Sequence, residues 1–178
     1  MEHVPWDRRS RRAGSTRRSV IAAVAALTLV AVAAAGMAAT LAPGPNGCPT
    51  NKSLKTAPIA DLAPPARTQI EAFDVLSGPI DAGTQTFTMK VRVGSTCGVD
   101  IKGASVYVTA VPYDQFTIPD EELTGDDGTA TLVFRRDANF PASSKQQQLT
   151  LFIRATKPGE NPLAGVSTRR LVAIPFGS

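Results

Sequence analysis

The sequence predicts an all-β domain, a seven-stranded Greek-key sandwich, preceded by one N-terminal helix. Between Ile101 and Asp137, two runs of residues alternate between apolar and polar side chains, with the glycine turn Thr124–Ala130 leading into the second. Alternation with a period of two is typical of a strand with one buried face. Short strands of this kind, separated by glycine and proline turns, indicate a two-sheet sandwich.

Each predicted strand is an apolar run that alternates with polar residues and is bounded by turn residues. The second strand has the clearest alternation, and the fourth is confined to a sheet edge by Pro119. No convincing helix follows the N-terminal segment. The seven predicted strands are Gln69–Leu76, Thr84–Val93, Ala104–Val111, Gln115–Ile118, Thr129–Arg135, Gln148–Ala155 and about Val166–Ile174.

The excess positive charge lies at the N-terminus. Residues 1–42 hold six of the 19 basic residues and two of the 15 acidic ones, which leaves 13 of each for residues 43–178. A domain without net charge lacks the basic stripe that phosphate binding needs, so nucleic acid is not an expected partner. The single histidine is His3, which excludes a Ser-His-Asp triad or a histidine-ligated metal from the domain. We therefore expect no enzymatic activity, no catalytic residue and no cofactor.

The segment 20–42 is an uncharged run of 23 residues, long enough to cross a hydrocarbon core of roughly 30 Å. Six arginines precede it, and an uncharged, proline-containing flank follows it. The positive-inside rule therefore places residues 1–19 in the cytoplasm as a basic tail and the C-terminal domain outside the cell. This predicts a single-pass protein that contacts the membrane through residues 20–42.

A cleaved signal peptide is the main alternative for this segment, because Thr40–Ala42 supplies a small-residue cleavage site. A twin-arginine export motif at Arg17–Arg18 and a lipid-modified Cys48 are weaker alternatives. The residues before Cys48 lack the apolar and small residues of a lipoprotein signal. Every one of these alternatives exports the domain.

Residues 43–66 carry six prolines and are predicted to form an extended tether that lifts the domain away from the membrane. The domain itself is expected to span residues 67–178. Cys48 lies in this tether and Cys97 in a turn of the domain, and an exported protein with two cysteines suggests one disulfide between them. An intermolecular bridge and two free thiols are the alternatives.

The central stretch resembles two families of exported β-sandwich modules. The strand Gly103–Val108 followed by the turn Thr124–Leu132 is similar to bacterial Ig-like modules of group 1, the invasin type, and to carboxypeptidase regulatory-like domains of the transthyretin type. The resemblance covers about residues 68–174 and implies an Ig-like sandwich. Modules of these families act as spacers, stabilisers or binding surfaces and share no catalytic residues.

Three aromatic residues are the candidate protein contact: Tyr107, Tyr113 and Phe116. Exposed aromatic side chains anchor many interfaces, whereas the competing interpretation places Phe116 in the core. The acidic run Asp120–Asp127 lacks the ligand spacing of a calcium loop and is interpreted as solvated turn residues. Two basic pairs, Arg135–Arg136 and Arg169–Arg170, are interpreted as part of a solvent-exposed sheet face.

Together these features predict a non-enzymatic, membrane-anchored Ig-like module with a structural or protein-binding role at the bacterial cell envelope. Another envelope protein is the candidate partner. The alternative is a secreted, soluble module that binds a ligand or a glycan after signal cleavage. The sequence assigns no small-molecule ligand.

Overall fold

The computed structural model describes residues 42–51 and 53–177, which form two β-sheets and no α-helix in that part of the chain. The predicted all-β class is confirmed. A single turn of 3₁₀-helix spans Ile59–Asp61. The nine strands are β1 (Thr56–Pro58), β2 (Thr68–Val75), β3 (Thr86–Ser95), β4 (Asp100–Lys102), β5 (Ser105–Val111), β6 (Glu122–Leu123), β7 (Thr129–Arg135), β8 (Gln148–Thr156) and β9 (Thr168–Pro175).

The first sheet has five strands and the second has four. In the first sheet, β3 pairs with β2, β4 and β7, and β1 pairs with β4. In the second sheet, the order is β6–β5–β8–β9. All pairs are antiparallel except β1–β4, which is parallel. The chain crosses between the sheets after β4, after β6 and again after β7, so each sheet combines strands that are distant in sequence.

The core lies between the two sheets and is filled by the inward residues of the long strands. The ring of Phe87 stacks on Phe134 with centroids 4.4 Å apart and meets Phe116 edge-on at 4.9 Å. Burial of a side chain of this size contributes about 1.5–3 kcal/mol. The buried residues of the four central strands are Phe87, Met89, Val91 and Val93 of β3, Val106, Val108 and Ala110 of β5, Ala130, Leu132 and Phe134 of β7, and Leu149, Leu151, Ile153 and Ala155 of β8.

The fourth predicted strand, Gln115–Ile118, is not a strand. Only Phe116 forms a β-bridge there, with Arg136 of the first sheet. The side chains of Gln115 and Phe116 are buried, which draws this segment into the space between the sheets. The edge strand next to β5 is instead β6, which pairs with Ser105 and Val106.

The segment predicted as a tether is part of the domain over much of its length. Ala57 and Leu62 are fully buried, and Ile59 is nearly so. The ammonium group of Lys157 donates hydrogen bonds to the carbonyls on either side of Asp61, at 3.4 and 3.3 Å. Apolar burial and the β1–β4 pairing therefore fix this segment on the sheets, so packing with the domain extends to residues before 67.

The Sγ atoms of Cys48 and Cys97 lie 2.04 Å apart, which is disulfide-bond distance, and their Cα atoms are 5.8 Å apart. The bond joins the segment before β1 to the turn between β3 and β4. Two backbone hydrogen bonds support the same segment: the N–H of Ala63 donates to Gly47 at 2.9 Å, and the N–H of Gly44 donates to Cys48 at 2.9 Å. This arrangement agrees with the predicted intramolecular pairing.

The turn before β7 depends on Gly128. This residue has a φ of +70°, a conformation that side chains rarely adopt, and an added Cβ would lie 2.7 Å from the Cβ of Asp100. In the same turn, the N–H and hydroxyl of Thr129 donate to the Asp127 carboxylate at 3.1 and 2.7 Å. Both bonds favour the ionised carboxylate, and Lys90 adds to them, so the pKa of Asp127 lies below its ordinary value.

Replacing Thr129 by valine is expected to raise the pKa of Asp127, because the hydroxyl bond is the largest cause of its depression. A lowered carboxyl pKa stabilises the fold above the unfolded-state pKa of about 3.9, and this contribution is lost as the pH falls through the folded-state pKa. The stability difference between the variant and the natural protein should therefore shrink in acid. A carboxyl NMR titration measures the shift, and an unchanged pKa of Asp127 in Thr129→Val would contradict this explanation.

The predicted transmembrane or signal helix and the basic tail lie outside the described residues, apart from Ala42. Among the residues that the structure does describe, no helix is long and apolar enough to span a bilayer.

Candidate docking surface on the second sheet

The outer face of the second sheet carries an apolar and aromatic surface. Strand register places Tyr107 beside Arg154, Phe152 beside Leu171, and Ala173 beside Thr150. These outer positions are alternate residues of β5, β8 and β9, and the residues between them are buried, apart from Thr168 and Arg170 at the start of β9. Leu171 is 64% exposed although it is a large apolar residue. We call this surface the platform, and define it by Tyr107, Val111, Phe152, Arg154, Arg169, Leu171 and Ala173.

Arg154 is held in one position by two groups, the Tyr107 ring and the Glu121 carboxylate. Its guanidinium carbon lies 4.7 Å from the centroid of the Tyr107 ring, which is a cation–π contact. Its Nη2 donates to Glu121 Oε1 at 2.9 Å, and the Ser105 hydroxyl donates to the same carboxylate. A guanidinium fixed in this way loses little conformational entropy when a partner binds it.

Arg169 lies directly opposite Arg154 in the β8–β9 register. Like charges at opposite positions of neighbouring strands destabilise the pair. Arg169 is exposed, and no ion pair joins it to any of the residues that the structure describes. The sequences of β5, β8 and β9 contain three arginines and no acidic residue. Because Arg154 is paired with Glu121, Arg169 is the platform arginine without an ion pair among the described residues.

The three predicted contact residues occupy different environments. Tyr107 lies on the platform, and Tyr113 is 66% exposed in the turn beyond β5. Phe116 is 3% exposed, and its ring packs against Phe87 and Phe140. Phe116 therefore belongs to the core and cannot contact a partner, because its aromatic ring fills the space between the sheets.

Each of the two basic pairs contains one arginine whose guanidinium bonds to backbone carbonyls. The guanidinium of Arg136 donates to the carbonyls of Ala82 and Phe140, and that of Arg170 donates to the Ile70 carbonyl at 3.0 Å. Arg135 and Arg169 are exposed. Arg169 and Arg170 both belong to β9, but only Arg169 lies on the outer face of the second sheet, so the platform receives one arginine from the two pairs.

The residues of the acidic run do not converge on one point. Three of these side chains form ion pairs with different strands or turns, and they divide the run between the two sheets. Within residues 42–51 and 53–177, no three histidine, cysteine or acidic side chains form a metal-binding cluster. The three ion pairs are Glu121–Arg154 at 2.9 Å, Asp126–Lys102 at 3.2 Å and Asp127–Lys90 at 3.4 Å.

Five platform residues were not among the sequence candidates, namely Val111, Phe152, Arg154, Leu171 and Ala173. The sequence signal for Phe152 was an apolar residue at an outward position of a strand, because Leu151 and Ile153 on either side of it face the core. Comparisons with protein-family models, curated proteins and solved structures find no match to this chain. Its function is therefore inferred from its own sequence and geometry.

Proposed function

We propose that this chain is a non-enzymatic, membrane-anchored Ig-like module that binds another protein at the bacterial cell envelope through the platform. The observation that carries the proposal is the exposed apolar and aromatic surface beside a fixed arginine. Tyrosine and arginine are enriched among the residues that dominate protein interfaces, and exposed apolar patches mark such interfaces. Leu171 and Phe152 supply the apolar area, while Tyr107 and Arg154 supply directional contacts.

The Ig-like assignment is supported by the order in which strands pair. Six of the nine strands, β2, β3, β5, β7, β8 and β9, pair in the order expected of an Ig-like Greek key, while β6 lies beside β5 at the edge of the second sheet. In the first sheet, β2 pairs with β3 and β3 with β7, as the first strand of an Ig-like key pairs with the second and the second with the fifth. In the second sheet, β5 pairs with β8 and β8 with β9, as the third strand pairs with the sixth and the sixth with the seventh. The short strands β1 and β4 are additions to the first sheet.

The proposed location follows from the N-terminal sequence. Six arginines before an uncharged run of 23 residues favour a cytoplasmic tail, one membrane crossing and an exported domain. The disulfide between Cys48 and Cys97 fits an oxidising compartment.

Photo-crosslinking in cells that make the protein naturally tests this function. p-Benzoylphenylalanine replaces Leu171 on the platform, or Val133 as the matched control. Val133 is 53% exposed on the outer face of the first sheet, so it is equally accessible. We expect one adduct of defined mass from position 171 and at least tenfold less of it from position 133. Equal yields from both positions, or no adduct from either, would overturn the proposed function.

A further inference from the structure

The edge of the second sheet at β9 has no neighbouring strand. β9 spans eight residues, pairs with β8 on one side and is the last strand in the order of its sheet. At its beginning, β9 approaches β2, where the N–H of Thr68 donates to the Val166 carbonyl at 2.8 Å. The Arg170 guanidinium also bonds to the Ile70 carbonyl of β2. Just past the other end of β9, the N–H of Gly177 donates to the Ile80 carbonyl at 2.8 Å. Within the described part of the chain, the unbonded stretch of this edge is therefore residues 171–175.

Hydrogen-bonded and non-hydrogen-bonded residue pairs alternate between β8 and β9, and this alternation shows which backbone groups of β9 face the free edge. The N–H of Phe176 donates to the Gln147 carbonyl at 2.8 Å, which continues the β8–β9 register as a hydrogen-bonded pair. Hydrogen-bonded and non-hydrogen-bonded pairs alternate along an antiparallel ladder. Val172 and Ile174 therefore bond to β8, whereas Leu171 and Ala173 direct their N–H and C=O groups away from it. Pro175 lies two residues after Ala173, so its backbone also points away from β8, but it has no N–H to donate.

The residues with outward backbone groups also carry the platform side chains. Arg169, Leu171 and Ala173 alternate along β9 on the outer face. A strand added to this edge would place its own alternate side chains next to them. Its backbone would gain the hydrogen bonds that Leu171 and Ala173 offer, and an acidic side chain beside Arg169 would offset the repulsion from Arg154.

The edge of the first sheet at β7 is partly covered. The segment after β5 lies along the opposite side of the molecule, where the N–H of Thr117 donates to the Arg135 carbonyl at 2.8 Å. The N–H of Thr124 donates to the Ala104 carbonyl at 2.9 Å on that side. Among the described strands, β9 thus combines a free backbone edge with an exposed apolar side chain and an arginine without an ion pair.

We infer that the partner binds by strand addition: an extended segment with an acidic side chain pairs with β9, the acid beside Arg169 and an apolar side chain beside Leu171. This inference rests on the proposed function and specifies its binding mode. Backbone pairing supplies affinity in such complexes, and the alternate side chains supply specificity. The basic character of β8 and β9 selects an anionic segment.

The free edge has a direct signature in the unbound protein. We expect the amides of Leu171 and Ala173 to exchange hydrogen rapidly, because no carbonyl accepts from them. The amides of Val172 and Ile174 should exchange at least a hundredfold more slowly, since each lies within the ladder to β8. NMR hydrogen exchange on the full-length protein measures this alternation. Uniform protection along β9 would show that its outward groups are already bonded.

The decisive variant is Ala173→Pro, which removes one outward N–H on a strand that already holds Pro175. Ala173→Val is the matched control, because it enlarges the side chain but keeps the donor. Arg169→Glu is the second variant, and Arg135→Glu on the first sheet is its control. The reporter is the photo-adduct formed in cells by p-benzoylphenylalanine at position 107, a platform position away from the β9 edge.

We expect Ala173→Pro and Arg169→Glu each to reduce the adduct at least tenfold, while both control variants retain it. An adduct that persists in Ala173→Pro and Arg169→Glu would overturn strand addition and leave the proposed function intact. Absence of any adduct from position 107 or 171 in the otherwise natural chain would overturn both. An adduct with twice the mass of the chain would identify a second copy as the occupant and contradict an anionic partner. Unchanged thermal unfolding of the variants confirms that the fold is retained.

Discussion

Replacing Phe134 by alanine is expected to lower the free energy of unfolding by about 3–5 kcal/mol, the range for truncating a large buried aromatic side chain. Phe134 is fully buried, and its ring lies nearly parallel to that of Phe87. Phe87 in turn contacts Phe116, so truncation opens a cavity within a cluster of rings from three different segments. A loss of this size consumes a large part of the 5–15 kcal/mol that is typical of a folded domain.

The neighbouring residue provides the control for this prediction. Val133 lies on the same strand but is 53% exposed on the outer face, so Val133→Ala should change the free energy of unfolding by less than about 1 kcal/mol. Urea denaturation of the two variants measures the difference. Equal losses for Phe134→Ala and Val133→Ala would contradict the assignment of inward and outward faces on β7.

Removing the disulfide is expected to have the next largest effect. A double replacement, Cys48→Ser with Cys97→Ser, should lower the free energy of unfolding by about 2–5 kcal/mol. The two cysteines are 49 residues apart, and closing a loop of this length in the unfolded chain is worth about 4 kcal/mol in the chain-entropy model. The loss should be accompanied by faster hydrogen exchange in residues 44–51, because the bond joins this segment to the turn after β3.

Chemical reduction supplies the control for the disulfide. A reducing agent should lower the denaturation midpoint of the natural protein to that of the double variant, and it should leave the double variant unchanged. If reduction does not shift the midpoint of the natural protein, the bond does not contribute to stability. A shift in the double variant would instead indicate an effect of the reducing agent that is unrelated to Cys48 and Cys97.

Long alternating strands were predictable, and short or contact-dependent elements were not. β3, β5, β7 and β8 each present at least three apolar residues at every second position, and a period of two is a local signal. β1 and β4 contain three residues each, too few for a period, and they exist because they pair with each other in parallel. The apolar residues Ile59 and Leu62 predicted that this part of residues 43–66 docks loosely on the domain, but their near-complete burial depends on surfaces far away in sequence.

The sequence indicated that Tyr107 belongs to the candidate site, but it did not indicate which residues lie beside it. Tyr107 stands out because an aromatic residue occupies an outward position of a strong strand. Its contact with Arg154 depends on the pairing of β5 with β8, which joins residues 47 positions apart. No local pattern states that pairing. Phe116 was a candidate contact residue but lies in the core, because an aromatic residue beside a turn can fill a core as readily as it can cover a surface.

Labelling of a single added cysteine in intact cells tests most directly whether a partner covers the exported platform. Leu171→Cys and the control Val133→Cys are treated with a maleimide that does not cross the cytoplasmic membrane, first in cells and then as purified protein. We predict that Val133→Cys reacts rapidly in cells and that Leu171→Cys reacts at least tenfold more slowly there but equally fast after purification. Equal rates in cells would show an uncovered platform, and no reaction at either position would show that the domain is not outside the cytoplasm; either result contradicts the proposed function.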